Sequence, residues 1–269
     1  MDQASKGRLN KVDEEKKNPF IQENVKQGET IEPLGNGIQV IVSKNYRFYT
    51  DSILLASFSA PRKKDRAVDL GSGCGVIPLL WNRDTAPSYT AAVELQNDAC
   101  DMLSRSIKLC QLEKKIEVIK HDLKDLKGIL PAAKFDLVVC NPPYRPAGAG
   151  VLSKGESAKI IRHETECTLE DVVQSAARLL QFSGRFCLCQ RPQRLADVIS
   201  AMKHADLEPK RLRFVEQRSG KEPKLFLIEG KKGAKPELRV MPTLLIEGED
   251  GAYSDEMKQI YGTYIEGKK

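Results

Sequence analysis

Short apolar runs alternate with longer amphipathic segments along the middle of the chain. The runs at residues 67–70, 89–93, 116–119 and 137–140 are rich in alanine and β-branched residues, which is typical of buried parallel strands. Residues 96–109 place apolar side chains three and four positions apart, as an amphipathic helix requires. Strands that alternate with helices in this way predict an α/β fold with a mostly parallel sheet.

The same pattern continues through the second half of the chain and ends differently. The further predicted helices lie at residues 169–180 and 193–204. The further predicted strands lie at residues 185–189, 207–215 and 224–229. Only the short polar segment 216–223 separates the last two strands, and so short a connection indicates an antiparallel hairpin. We therefore expect a seven-stranded, mostly parallel sheet with a terminal antiparallel hairpin.

Composition and periodicity divide the chain into four predicted segments. A disordered polar tail at residues 1–18 precedes an N-terminal hairpin with an apolar helix at 19–60. An α/β core follows at residues 61–230, and the C-terminal tail at 231–269 is first basic and then packs on the core. In the second segment, Thr50, Asp51 and Ser52 offer N-cap side chains for a helix predicted at 53–59.

Composition limits the class of protein. The chain has 269 residues, of which 41% are apolar and 30% charged, and it shows neither a signal peptide nor a run long enough to cross a membrane. Seven scattered cysteines predict reduced thiols, and Cys187 and Cys189 lack the second pair that a metal site needs. We expect a cytoplasmic protein without membrane segment or metal. The net charge of +6 suits a polyanionic partner but does not establish one.

A polar corner follows the strand predicted at 137–140. It consists of Asn141, Pro142, Pro143 and Tyr144. Each proline pushes its predecessor into an extended conformation, so the Asn141 amide and the Pro142 carbonyl can project together from the strand end. Two oxygen acceptors side by side suit an NH2 group with two hydrogens, and Tyr144 adds a flat face on which a planar group can stack.

A glycine loop follows the strand predicted at 67–70. Gly71, Gly73 and Gly75 alternate with other residues, which lets the backbone turn tightly and approach a ligand. The third glycine comes one residue too early for the nicotinamide fingerprint. Glu94 follows the next strand, at the place where an acidic residue takes ribose hydroxyls. Loop, acid and polar corner together predict a nucleotide-like cofactor and an amine substrate.

These motifs resemble a known family. The run Asp69-x-Gly-x-Gly-x-Gly followed by Asn-Pro-Pro-Tyr is similar to that of S-adenosylmethionine-dependent amino-methyltransferases. Within that group the chain looks most like the bacterial tRNA adenine-N6 methyltransferases that modify valine tRNA just 3′ of the anticodon. Softer support comes from residues 47–55, 162–164 and 242–264, and the resemblance covers about residues 31–264. It implies a Rossmann-like class I methyltransferase fold, S-adenosylmethionine as cofactor and tRNA as substrate.

The resemblance also implies roles for single residues. It assigns catalysis to Asn141, Pro142, Pro143 and Tyr144. The cofactor would be bound by Asp69, Gly71, Gly73, Gly75, Glu94 and Asp122, beneath a cover that includes Thr50 and Asp51. For substrate RNA, the candidates are Arg211, Arg213, Lys224 and His163. Simpler interpretations stay open: helix capping for Asp51 and Asp122, packing for His163, and a solvated face for the basic residues.

Other functions share parts of this pattern. A protein glutamine N5-methyltransferase acts on an amide that also presents two hydrogens, but such enzymes typically carry an N-terminal helical domain, for which this sequence has no room before Val68. The intact glycine loop and Asn141 argue against an RNA-binding protein that keeps the fold without activity. The glycine spacing argues against a nicotinamide dehydrogenase.

Overall fold

The computed structural model describes residues 24–142 and 167–262 of the chain. Three predicted site residues, Pro143, Tyr144 and His163, lie outside the described residues. The tail predicted at 1–18 and the last residues, 263–269, also lie outside them.

The described helices and strands follow the predicted alternation. The strands are β1 (Glu29–Gly35), β2 (Ile38–Ser43), β3 (Arg66–Leu70), β4 (Tyr89–Glu94), β5 (Ile116–Lys120), β6 (Phe135–Cys140), β7 (Leu180–Gln190), β8 (Leu207–Glu216), β9 (Leu225–Lys232), β10 (Arg239–Val240) and β11 (Leu244–Leu245). The helices are α1 (Thr50–Ser59), α2 (Val76–Asp84), α3 (Asn97–Leu109), α4 (Leu169–Leu179), α5 (Leu195–His204) and α6 (Asp255–Tyr261).

One large sheet forms the centre of the molecule. Its strand order is β10-β8-β9-β7-β6-β3-β4-β5, with β11 also pairing with β8. The strands from β7 to β5 are parallel neighbours, whereas β9 runs antiparallel to both β7 and β8. The predicted mostly parallel sheet with a terminal antiparallel hairpin is therefore confirmed. The two edge strands β10 and β11 were not predicted, because strands of two residues carry no hydrophobic periodicity.

The register of the parallel strands sets their carboxyl ends at one level. Leu70 of β3 pairs with Val93 of β4 on one side and with Cys140 of β6 on the other, and Cys140 pairs with Leu188 of β7. The next residue of each strand therefore lies in one row across the sheet. This row consists of Gly71, Glu94, Asn141 and Cys189.

Helices cover both faces of the sheet. One apolar core joins the β1–β2 hairpin to α1, α2, α3 and α6, and a second core lies beneath α4 and α5. Trp81 of α2 is fully buried, and its indole N–H donates to the Ser59 hydroxyl at 3.0 Å. The N-terminal hairpin and α1 are thus part of the main core.

Helix α1 is fixed at both ends. At its carboxyl end, Arg211 donates to the Phe58 carbonyl at 3.1 Å, and Arg185 donates to the Ser59 carbonyl at 2.9 Å. Both guanidiniums also bind the buried Glu229, at 2.6 and 3.1 Å. Burial alone would raise the pKa of Glu229, but the hydrogen bond and charge of Arg211, with the charge of Arg185, hold that pKa below its usual value. At the amino end, the Thr50 hydroxyl lies 3.1 Å from the Tyr261 hydroxyl of α6.

The start of α1 differs from the prediction. The helix begins at Thr50 rather than at residue 53, and its N-cap is Tyr49, which makes no side-chain capping bond. Asp51 is therefore not the N-cap residue. It lies in the first turn, where its carboxylate accepts the Ser52 backbone N–H at 2.7 Å and its negative charge interacts favourably with the helix dipole.

Membrane-spanning helices and metal-binding clusters were sought in the part of the chain that the structure describes. No helix among these residues is long and apolar enough to cross a membrane. Nor do residues 24–142 and 167–262 contain a group of three histidine, cysteine or acidic side chains that could hold a metal ion.

Candidate functional site

The glycine loop connects β3 to α2 at the row of strand ends. Gly71, Gly73 and Gly75 all have positive φ angles, of 75°, 54° and 85°, a conformation that other residues rarely adopt. A Cβ atom at Gly75 would lie 2.1 Å from a methyl carbon of Leu103, so α3 packs directly on this glycine. A Cβ at Gly71 or Gly73 would meet no atom of the described residues within 4 Å, so these residues leave room for a ligand beside the loop.

Glu94 braces the loop from the neighbouring strand. Its carboxylate accepts the Gly73 backbone N–H and the Gln96 backbone N–H, both at 2.8 Å. The loop is further held by the Gly71 backbone N–H, which donates to the Val93 carbonyl at 2.9 Å. Glu94 is buried, yet each of its oxygens keeps a second lone pair for a ligand hydroxyl.

Asp69 lies directly beneath the same loop. Its side chain is buried, and neither carboxylate oxygen has a hydrogen-bond partner among the described residues. The Ser72 hydroxyl donates instead to the Asp69 backbone carbonyl at 3.1 Å. Burial raises the pKa of Asp69 to about 7; the nearby Ser72 hydroxyl offsets part of this effect, and the Glu94 charge adds to it. A buried carboxyl group without donors is costly to leave unmatched, so this position fits the amino group of a ligand.

The Asn141 side-chain amide makes hydrogen bonds on two sides. Its amide nitrogen donates to the Ser52 hydroxyl of α1 at 2.9 Å, and its amide oxygen accepts the Cys189 thiol of β7 at 3.0 Å. A donor on one side and an acceptor on the other fix which way the amide faces. Pro142, which follows Asn141, is the last described residue of the polar corner.

Three further predicted cofactor residues lie at this edge of the sheet. Thr50 and Asp51 belong to the first turn of α1, immediately before Ser52. Asp122 follows β5 and accepts the Lys124 backbone N–H at 2.9 Å. No helix begins at Asp122, because residues 121–134 form turns and bends, so the capping alternative for this residue is wrong.

The basic residues predicted to bind RNA divide into two groups. Arg211 is bound to Glu229 and lies over the Phe58 ring, 4.5 Å from the ring centroid. Arg213 makes a two-pronged ion pair with Glu256 of α6, at 2.6 and 2.7 Å. Lys224, by contrast, is exposed immediately before β9. RNA contact stays a prediction for all three, but two of them already serve the fold.

Ser52 and Cys189 were not predicted as partners of Asn141. The sequence pattern indicates a helix cap at Ser52 and a core thiol on a strand face at Cys189. The position of Cys189 at the end of a predicted strand could have indicated a place at the site. That inference depends on β7 lying next to β6, which the order of elements along the chain does not reveal.

The chain is similar to known methyltransferases. Residues 49–202 match the family model of the methyltransferase small domain. The chain is 29% identical over 208 residues to a tRNA1(Val) (adenine(37)-N6)-methyltransferase from Tolumonas auensis, which covers 77% of this chain and 84% of that protein.

Solved structures share the fold. A predicted O-methyltransferase from Agrobacterium tumefaciens matches with a TM-score of 0.66 and 21% identity, over 80% of this chain and 97% of that one. A geranyl diphosphate C-methyltransferase from Streptomyces coelicolor, solved with S-adenosyl-L-homocysteine, matches with a TM-score of 0.51 and 12% identity, over 67% of this chain and 74% of that one.

The substitution Asp69→Asn tests the burial of this carboxyl group. An unfolded aspartate titrates at about pH 3.9. Folded Asp69 keeps its proton up to about pH 7. Because the folded state binds more protons between these values, the Asp69 contribution to stability falls as the pH rises through this window. We measure the free energy of unfolding of both proteins by denaturant titration. As the pH rises from about 4.5 to about 7.5, we expect the difference, variant minus wild type, to increase by roughly 1–4 kcal/mol. Parallel pH profiles for the two proteins would contradict the assignment.

Proposed function

The chain belongs to the methyltransferase small domain family, and we propose that it methylates the N6 amine of an adenine near the anticodon of tRNA. Family membership makes it a methyltransferase that depends on S-adenosylmethionine. The observation that supports the proposed substrate is the Asn141 amide at the end of β6, which Ser52 and Cys189 hold in one orientation. The tRNA acceptor is supported by the name of the Tolumonas auensis relative.

The residues around the glycine loop fit this cofactor. Asp69 offers a buried carboxyl group without a hydrogen-bond donor among the described residues, which matches an amino group. Glu94 sits where ribose hydroxyls can reach its remaining lone pairs, and the open side of Gly71 and Gly73 admits a ligand close to the backbone. When bound, the cofactor supplies an electrophilic methyl group. We propose Asp69, Glu94 and the three loop glycines as its binding residues, with Asp122, Thr50 and Asp51 at the rim.

The chain's own contribution to the reaction is to position the acceptor amine. An exocyclic adenine amine is a poor nucleophile, because its lone pair is delocalised into the ring. If the Asn141 oxygen and the Pro142 carbonyl accept its two hydrogens, the lone pair points away from both acceptors. Positioning and exclusion of water then supply most of the rate enhancement, and no strong base is needed before transfer.

Ser52 and Cys189 act on the reaction through Asn141. An amide can rotate by half a turn and exchange its oxygen for its nitrogen, which would turn an acceptor into a donor. The Ser52 oxygen accepts from the amide nitrogen and the Cys189 thiol donates to the amide oxygen, so both disfavour the rotated state. We therefore propose both as positioning residues. Stacking of the adenine on Tyr144, which lies outside the described residues, stays a prediction.

The acceptor can be identified directly. Unmodified bulk tRNA is incubated with the protein and methyl-labelled S-adenosylmethionine, and the nucleosides are then separated. We expect the label in N6-methyladenosine. Label in a protein glutamine and none in tRNA would favour the amide acceptor and contradict the proposal.

Replacement of Glu94 tests the cofactor site. Glu94→Ala removes the acceptor that braces Gly73 and faces the proposed ribose position, so binding of S-adenosylhomocysteine is expected to weaken by about 1.5–3 kcal/mol in calorimetry. Glu117→Ala is the matched control, because Glu117 is exposed on the neighbouring strand β5 and carries the same charge. Unchanged affinity in Glu94→Ala would remove this residue from the site.

Replacement of Asn141 and Ser52 tests the mechanism. With saturating tRNA and cofactor, single-turnover transfer is expected to fall roughly 100- to 1,000-fold in Asn141→Ala, as when a preorganised polar group is lost. Ser52→Ala loses one neutral hydrogen bond, so we expect a decrease of roughly fivefold.

The controls separate positioning from folding. Ser52→Thr keeps the hydroxyl and should recover the rate, whereas Ser57→Ala changes an exposed serine of the same helix and should have no effect. Thermal melts and cofactor binding should match the wild type in all four variants. A folded Asn141→Ala protein with near-normal transfer would disprove the mechanism.

A further inference from the structure

We propose that a basic groove beside Asn141 binds the phosphate backbone of the RNA strand that carries the target adenine. This inference rests on the proposed function and adds the place where the strand lies. It moves the main RNA contact away from Arg211 and Arg213, whose charges are already paired within the protein.

The groove opens at the same edge of the sheet as the strand-end row. It has a volume of about 840 Å³, and its walls are the segment after β7, which includes Arg191, and the turn from Gln217 to Lys224 between β8 and β9. Arg191 follows Cys189 by two residues, which is roughly 7 Å along an extended strand. Since the Cys189 thiol binds the Asn141 amide, the groove begins next to the proposed acceptor position.

The groove is lined by more positive than negative groups. Among the described residues, the charged groups of the lining are Arg191, Arg218, Lys221 and Lys224 against Glu222 and Glu247. Arg218 is paired with Glu247. Lys221 and Lys224 are exposed, and neither has a carboxylate at ion-pair distance in the described part of the chain. Their charges are therefore available to phosphate oxygens, which lysines bind without reading the base sequence.

The outer wall of the groove is held in place by the C-terminal segment. The Glu247 carboxylate accepts the Gln217 side-chain amide at 2.5 Å as well as the Arg218 guanidinium, and the Glu247 backbone N–H donates to the Gln217 carbonyl at 2.9 Å. Strand β11 extends this contact by pairing with the end of β8. The turn that carries both lysines is thus anchored before any ligand arrives, which lowers the entropy cost of binding.

Charge reversal of the two lysines tests the groove. In Lys221→Glu/Lys224→Glu, the slope of log affinity for tRNA against log salt concentration is expected to become shallower by about 2, since each lysine accounts for about one phosphate contact. The matched control is Lys63→Glu/Lys64→Glu, which makes the same charge change just before β3, at the opposite ends of the parallel strands. We expect the control to keep the wild-type slope and both proteins to bind S-adenosylhomocysteine normally.

The outcomes separate this inference from the proposed function. The neutral pair Lys221→Gln/Lys224→Gln should reproduce the loss of slope, which excludes misfolding by reversed charges as its cause. If the wild-type protein methylates tRNA adenine but the groove variant and the control variant have the same salt dependence, RNA binding by the groove is contradicted and the proposed function stands. If the wild-type protein neither binds nor methylates tRNA, both proposals are contradicted.

Discussion

The site depends on the register of four parallel strands. Because Leu70, Val93, Cys140 and Leu188 are hydrogen-bonded neighbours at one level, the residues after them come together although they are far apart in sequence. A shift of one residue in any strand would turn its side chains to the opposite face of the sheet. It would thereby separate the acid that braces the glycine loop, the amide of Asn141 and the thiol that orients it. Buried apolar side chains on both faces of the sheet specify this register.

Helix α1 completes the site from outside the sheet. It carries Ser52 to Asn141, and its position is fixed by a buried ion cluster at its carboxyl end and by α6 at its amino end. Glu229 needs its cations, since removal of one partner from a buried ion pair typically costs about 3–5 kcal/mol. Arg211 therefore contributes to the orientation of Asn141 through the fold, whether or not it also touches RNA. The C-terminal segment serves both regions: α6 holds α1, and Glu247 anchors the wall of the groove.

Sequence patterns predicted the elements of this fold better than the contacts between them. The strand before Asn141 and the terminal hairpin were predicted correctly, because a buried strand and a short connection can be recognised from neighbouring residues in the sequence. The partners of Asn141 were missed, since strand order and the approach of α1 arise from packing between distant segments. For the same reason the basic residues of β8 were read as a solvated or RNA-binding face. Nothing local to Arg211 indicates that Glu229, eighteen residues later, is buried beside it.

We propose that the protein holds the adenine amine with two oxygens at the end of β6. The most direct measurement is a crystal structure of the protein with S-adenosylhomocysteine and an adenine-containing RNA stem-loop. We expect the adenine N6 atom within hydrogen-bond distance, about 2.7–3.2 Å, of both the Asn141 side-chain oxygen and the Pro142 carbonyl. An adenine bound with its N6 amine away from Asn141, or an Asn141 amide turned to present its nitrogen, would contradict it.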